Sequence, residues 1–271
     1  MKLTRKEKNT EWADKLAVKR NSWIEKNKFF YKNDYSYMQF LVGDGERVLE
    51  LGCGTGQLLN TLNPSYGMGV DLSKNMISIA QKNHPNLEFI QGDFEDDGFI
   101  SSIEGSFDYI ILSDTIGLLD DCEKVFSMLH SLCTPDTRLI ISYYSWYWRP
   151  ILAIGERVGL KMPSVDMNWL STEDTMGFLK LADFETVKRE WRQLVPRSLF
   201  GLGSLINRFI GTLPLIRRLS LRNYIVARPV RNMKLKEMST SVLIPCRNEK
   251  GNIENAVKRL PDFCKDLEIL Y

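Results

Sequence analysis

The 271 residues carry 44% hydrophobic and 26% charged side chains, which excludes a collagenous, low-complexity or disulfide-scaffold protein and fits a globular chain. The net charge of +2 conceals a partition: 1–32 holds ten Lys/Arg against four Asp/Glu, 33–187 nine against twenty-three, and 188–236 twelve against one. The basic flanks are read either as a face for an anionic partner or as counter-charges to the acidic middle. Nucleic acid is not expected as that partner. Five cysteines form no CxxC pair and only two histidines accompany them, so no metal site is expected and reduced thiols in the cytoplasm are the simplest reading. Neither a signal peptide nor an apolar run of about 18 residues is visible.

Residues 1–42 read as an N-terminal helical extension. Trp12, Leu16, Trp23 and Ile24, then a run of aromatics up to Phe40, cover one face. They are expected to pack on a sheet, with Tyr31 and Tyr35 as candidates to close over a cofactor. Gly43-Asp44-Gly45 turns into a first strand at 47–51, which breaks at Gly52-Cys53-Gly54-Thr55-Gly56 before a helix. Glycines at alternate positions leave no Cβ in a ligand's way and allow positive φ. The free N–H groups of the helix start are receptive to polar groups. A nucleoside-containing cofactor is expected here.

A second strand ends at Asp71, 19 positions after Gly52, about the spacing at which a parallel neighbour delivers a carboxylate to a ribose. Ser73 is expected to cap a helix running to about Lys82. A third strand at 87–91 leads into Gly92-Asp93-Phe94, and a fourth at 107–112 into Ser113-Asp114-Thr115. A helix at 121–132 and a fifth strand at 138–143 follow. This alternation predicts an α/β, Rossmann-like parallel sheet with helices on both faces and its ligand at the C-terminal strand ends. Asp71, Asp93, Ser113 and Asp114 fall at those ends, although a solvated turn or a helix cap explains any one of them alone. The glycines follow G-x-G-x-G, with Gln57 where a dinucleotide fingerprint wants glycine, which disfavours an NAD-dependent oxidoreductase.

Glu50-Leu51-Gly52-Cys53-Gly54-Thr55-Gly56 resembles the first motif of class I S-adenosylmethionine-dependent methyltransferases. Gly69-Val70-Asp71-Leu72-Ser73 is similar to their second-strand acidic motif, Gln91-Gly92-Asp93-Phe94 to the adenine-contacting segment, and Phe107-Asp108-Tyr109-Ile110 to the fourth-strand motif. The resemblance covers roughly 40–230. It implies S-adenosylmethionine as cofactor, with Glu50, Gly52, Cys53, Gly54 and Gly56 around its methionine part and Asp71 with Leu72 at the ribose. Asp93 and Phe94 would meet the adenine, and Ser113 the methionine moiety. It also implies seven strands, the last antiparallel, with 172–181 as a helix and 184–194 and 223–227 as the sixth and seventh strands. Asp114, Tyr143 and Tyr144 are candidates for a catalytic base at strand ends, needed only if the acceptor must lose a proton.

Two segments stand apart. The aromatic run 143–148 lies where the family places acceptor contacts, and is expected to form a substrate or membrane surface. The insert 198–221, before the last strand, reads as an apolar helical stripe rimmed by arginine. It suits either an anionic membrane surface through 198–222 or a helical cap over the site. Beyond a linker at 231–240, Ser241-Val242-Leu243-Ile244-Pro245-Cys246-Arg247-Asn248-Glu249 resembles the opening of family 2, GT-A glycosyltransferases, with a helix at 252–260 and a strand at 267–271. The expected organisation is therefore 1–42 helical, 43–230 cofactor-binding and 231–271 an incomplete glycosyltransferase-like unit whose domain continues in cis. The expected function is methyl transfer to a small-molecule or glycolipid acceptor, a saccharide- or lipid-linked envelope intermediate, at the cytoplasmic face of the membrane. The alternative is a non-catalytic cofactor-binding module that docks a glycosyltransferase there.

Overall fold

The computed structural model describes residues 3–230, 239–245, 254–255, 257–260 and 266–270. Met1–Arg231 makes one compact unit and Asn232–Tyr271 a second. In the first, seven strands line up in the order β3 (Glu88–Gln91), β2 (Tyr66–Asp71), β1 (Arg47–Leu51), β4 (Phe107–Ser113), β5 (Cys133–Tyr144), β7 (Arg222–Pro229), β6 (Phe184–Arg192). All pairings are parallel except those of β7, which runs antiparallel to both β5 and β6.

The central strands are apolar on both faces, and period-2 alternation sorts their side chains into two cores. Leu49, Leu51, Ile110, Leu112, Leu139, Ile141 and Ile225 face one core, closed by α6 (Cys122–Leu129) and α8 (Thr172–Leu181). Val48, Ile111, Ile140, Tyr224 and Val226 face the other. That side is closed by α2 (Lys28–Val42), α3 (Gln57–Thr61) and α4 (Lys74–Asn83). Ser73 caps α4, its Oγ accepting from the Met76 N–H at 3.1 Å.

Several boundaries differ from expectation. The N-terminal segment is two helices, α1 (Arg5–Lys26) and α2, broken at Asn27 where φ is −111° and ψ 31°. β5 begins at Cys133 rather than 138, because Cys133 pairs with Phe107 before a register irregularity. α6 stops at Leu129 and tightens into a 3-10 turn, His130–Leu132. The insert 198–221 is not one helical stripe. It consists of a 3-10 turn (Leu199–Gly201), α9 (Leu202–Leu205) widening into a π-helical turn (Ile206–Ile210), and a 3-10 turn (Ile216–Leu219); Leu199, Phe200 and Gly201 take left-handed φ and a Cβ on Gly203 would sit 1.9 Å from the Arg197 carbonyl. α5 (Asp97–Ser102) and α7 (Arg149–Arg157) complete the unit. No helix among the described residues is long and apolar enough to cross a membrane. In the second unit, β8 (Ser239–Leu243) pairs in parallel with β9 (Asp266–Leu270). Residues 246–249 of the motif read there lie outside the described residues.

Candidate cofactor and acceptor site

β1, β2, β4 and β5 end side by side, and the turns that leave their C-terminal ends form the site. Gly52, Gly54 and Gly56 all take left-handed φ, of 78°, 53° and 75°, where any side chain is strained. Their surroundings differ. A Cβ on Gly52 would lie 2.2 Å from Thr115 Oγ1, and one on Gly56 2.6 Å from the Phe89 ring. A Cβ on Gly54 would meet nothing within 4 Å, in the cavity's wall. Gly52 and Gly56 thus let the loop pack, while Gly54 keeps its open side clear. The Asp71 carboxylate ties loop to strand, accepting from the Gly54 N–H at 2.9 Å and the Ser73 N–H at 2.8 Å. Burial raises its pKa against the pull of those two bonds.

A cavity of about 470 Å³ opens over these strand ends. Its inner wall includes Gly52, Gly54, Asp71, Ser113, Asp114 and Tyr144, and α1 covers it with Trp12, Arg20 and Trp23. The outer wall is apolar, built from Trp148, Ile151, Leu152, Leu160, Met162 and Pro163. A smaller space of about 30 Å³ adjoins it, lined by Glu50, Cys53 and Tyr35, and shares Gly52, Tyr31, Ser113 and Asp114 with it. Glu50 is buried and accepts from the Leu59 N–H at 3.1 Å, and burial carries its pKa to about 8.

α1 is fastened along its length. Lys6 Nζ lies 2.8 Å from Asp93 and 2.7 Å from Glu95, and Arg5 2.8 Å from Asp120. Asp14 Oδ1 accepts from Ser73 Oγ at 2.5 Å and the Asn75 N–H at 3.0 Å. Thr55 Oγ1 donates to Asn21 Oδ1 at 2.8 Å, and Lys26 Nζ to the Gly159 carbonyl at 2.6 Å. Part of the basic N-terminus is therefore counter-charge within the fold.

Not every expected residue reaches the cavity wall. Asp93 is held in the Lys6 ion pair, Phe94 is buried in the core, and Gly56 packs on Phe89. Leu72 lies outside the wall of either space. Tyr143 corrects the list of base candidates: its ring joins the core and its hydroxyl donates to the Ser171 carbonyl at 3.5 Å, away from the cavity. Strand alternation forces this, since adjacent Tyr143 and Tyr144 point to opposite faces. Tyr144 does face the cavity, but burial pushes its hydroxyl well above the usual phenol range, which disfavours it as a base.

Arg222 is fully buried at the start of β7. Because β7 is antiparallel, Arg222 pairs with Tyr144 and emerges where the parallel strands end. Its Nε donates to Asp34 Oδ1 at 3.0 Å, its Nη2 to Ser142 Oγ at 3.0 Å, and its Nη1 to Asp114. Tyr224 donates its hydroxyl to Asp34 as well, and Ser142 Oγ to Ser113 Oγ at 3.1 Å. Burial opposes the guanidinium's charge, but Asp114 and Asp34 together hold it firmly protonated. Asp114, at φ 59° and with 28% of its side chain exposed, is pinned in this way at the cavity floor.

Arg20 is the other residue that sequence reading passed over. It lies in the cavity wall, 5.9 Å from the Tyr31 ring centroid, and Tyr31, then Tyr35, Asp114 and Tyr144, keep it charged against its burial. The signal was present: Ala13, Ala17, Arg20 and Ile24 fall on one helical face, an arginine within an otherwise apolar row.

The doubly wound sheet, the glycine loop and the acid at the end of β2 define a class I, S-adenosylmethionine-dependent methyltransferase domain. Residues 43–182 match the model of the methyltransferase domain family, and the chain belongs to that family. It is 34% identical over 104 residues to the malonyl-[acyl-carrier protein] O-methyltransferase of Halalkalibacterium halodurans, a match that covers 36% of this chain and 38% of that relative. Over 59 residues it is 41% identical to the fatty-acid O-methyltransferase of Mycolicibacterium smegmatis, covering 20% and 22% of the two chains. The fold superposes on a methyltransferase of Thermotoga maritima with a TM-score of 0.60, at 20% identity over 79% of this chain and 96% of that one. It also superposes on magnesium protoporphyrin IX methyltransferase of Synechocystis PCC 6803 with bound S-adenosylmethionine (TM-score 0.55, 14% identity, 84% and 98% covered). The cofactor of the domain is S-adenosylmethionine, and the open side of Gly54 beside the Asp71 carboxylate fits it.

Proposed function

We propose that this domain transfers the methyl group of S-adenosylmethionine to an acceptor with an extended apolar portion, a lipid-linked or acyl-chain compound. The apolar outer wall of the cavity, built from Trp148, Ile151, Leu152, Leu160 and Met162, carries this reading. The acyl-carrier and fatty-acid substrates named for two relatives support it. The cofactor's sulfonium supplies an already activated methyl group when bound. The chain's own task is to bind, align and exclude water. Asp71 keeps unused lone pairs for the ribose hydroxyls beyond the two backbone bonds it accepts. Arg20 meets the carboxylate of the methionine moiety, and Ser113 borders it. Glu50, Cys53 and Tyr35 support the loop from the smaller space, with Tyr31 between the two. Asp114, fixed by Arg222, accepts a hydrogen bond from the acceptor and is the remaining candidate to take its proton where one must leave. For Asp93 to meet the adenine it must share its carboxylate with Lys6.

We also read 231–271 as glycosyltransferase-like, which assigns the acceptor to glycoconjugate synthesis at a membrane. The parallel β8–β9 pair supports this, since a strand–helix–strand unit makes that pairing.

Calorimetric titration of the full chain tests the cofactor assignments. Arg20→Met should weaken S-adenosylmethionine binding roughly 10- to 100-fold, the worth of one hydrogen bond to a charged group, without moving the melting midpoint; unchanged affinity removes Arg20 from the site. Methyl transfer should run on acyl- or polyprenyl-linked acceptors, and a preference for short water-soluble ones would overturn the acceptor class.

A further inference from the structure

The outer wall of the cavity has a second side. The residues that flank α7 are tied to the insert and its approach: Trp148 Nε1, just before α7, donates to the Leu219 carbonyl at 2.8 Å, and Arg197 Nη2 to the carbonyl of Leu160, just after α7, at 3.4 Å. Both segments expose large apolar side chains to solvent. Ile151, Ile154 and Val158 stand along α7 at the mouth of the cavity, and Leu202, Phe209 and Leu215 stand on the insert, each more than half exposed. Phe200 stands fully exposed at a left-handed φ of 56°, a conformation that costs a phenylalanine energy and holds its ring outward. Exposed apolar side chains gathered on two segments tied together in this way mark an interaction surface.

Charge decides what covers it. Residues 191–221 contain five arginines and no acidic residue, and Arg149, Arg157, Arg208 and Arg218 of the two segments are exposed. A second copy of this face would bring arginine against arginine. An anionic bilayer offers the opposite charge at its surface and an apolar interior behind it.

We propose that α7 and residues 199–219 form one interfacial face that seats on an anionic lipid bilayer, and that the acceptor's apolar chain passes from that bilayer into the cavity walled by the same elements. The docking half stands by itself, and the acceptor route rests on the methyltransferase reading. The insert's broken backbone suits this use: short turns spread apolar tips over a plane, where one straight helix would present a single line.

Co-sedimentation of the full chain with vesicles of phosphatidylcholine, alone or mixed with phosphatidylglycerol, tests it. Binding to mixed vesicles should exceed that to phosphatidylcholine alone by tenfold or more, and should weaken as salt approaches about 1 M. Arg208→Gln with Arg218→Gln should lower binding to mixed vesicles roughly tenfold. Phe200→Ser, Phe209→Ser and Leu215→Ser together should abolish binding to both. None of these five residues lines the cavity, so S-adenosylmethionine affinity measured on each variant should stay unchanged and so report intact folding. Absence of binding to mixed vesicles overturns the docking face. So does self-association that the triple apolar variant abolishes, which assigns the patch to a second copy. Vesicle binding without any S-adenosylmethionine binding overturns the acceptor route alone.

Discussion

Glu50 closes β1 with its carboxyl buried, and burial raises its pKa to about 8 against roughly 4.3 in an unfolded chain. Between those values the folded state holds a proton that the unfolded state has lost, so stability is untouched below the lower value and falls as pH rises toward the upper. The slope is up to about 1.4 kcal/mol per pH unit. Asp71, also raised by burial, adds in the same sense. Glu50→Gln keeps an oxygen for the Leu59 N–H and has nothing to ionise. Denaturant titrations at pH 5 and pH 8 should therefore show the variant gaining on the native protein at the higher pH; a gap that does not grow means Glu50 is ionised in the fold. Residues of this kind were legible where their role is local. The glycine loop and Asp71 announce themselves by spacing, whereas Arg222 gives no sign, because Asp34 and Asp114 lie 188 and 108 positions away. Tyr143 and Tyr144 were indistinguishable until strand register decided which of them faces the cavity.

α1 behaves as a strap whose N-terminal end is fixed by ion pairs, whose far end is fixed by the Lys26 bond to the Gly159 carbonyl, and whose middle covers the cavity with Trp12 and Arg20. Lys6→Glu would set a negative charge against Asp93 and Glu95. Each pair is partly exposed and worth at most about 1 kcal/mol, so reversing both costs roughly 1–2 kcal/mol of strap closure. S-adenosylmethionine affinity should fall about tenfold, and hydrogen exchange along α1 should quicken while that of β1 and β4 holds. Equal exchange in both proteins would mean the strap is held by its apolar face alone. Helices and strands with clean periodicity were readable at this scale, among them β1, β2, α4, β4 and α8, whereas the short α5 and α7 were not. The insert was not: its apolar spacing mimics a helix, but Gly201, Gly203 and Gly211 let the chain turn back on itself, and periodicity does not register such turns.

At the scale of the molecule, the charge partition divides into two uses that composition alone could not separate. Arg5 and Lys6 of the N-terminus are paired with the acidic rim, while Arg208 and Arg218 of the insert stay exposed. The boundary near Arg231 is a second whole-chain feature. A chain ending there should bind S-adenosylmethionine with unchanged affinity and melt at the same midpoint; a lower midpoint would mean the tail shares the core. The buried arginine of β7 also sets an order in time. A polypeptide leaving the ribosome has made the glycine loop, Asp34 and Asp114 long before it reaches position 222. Until that strand threads between β5 and β6, Asp114 at the floor of the cavity and Asp34 beside the smaller space lack the cation that joins them. The loop that marks this family is thus translated early and becomes a working pocket last.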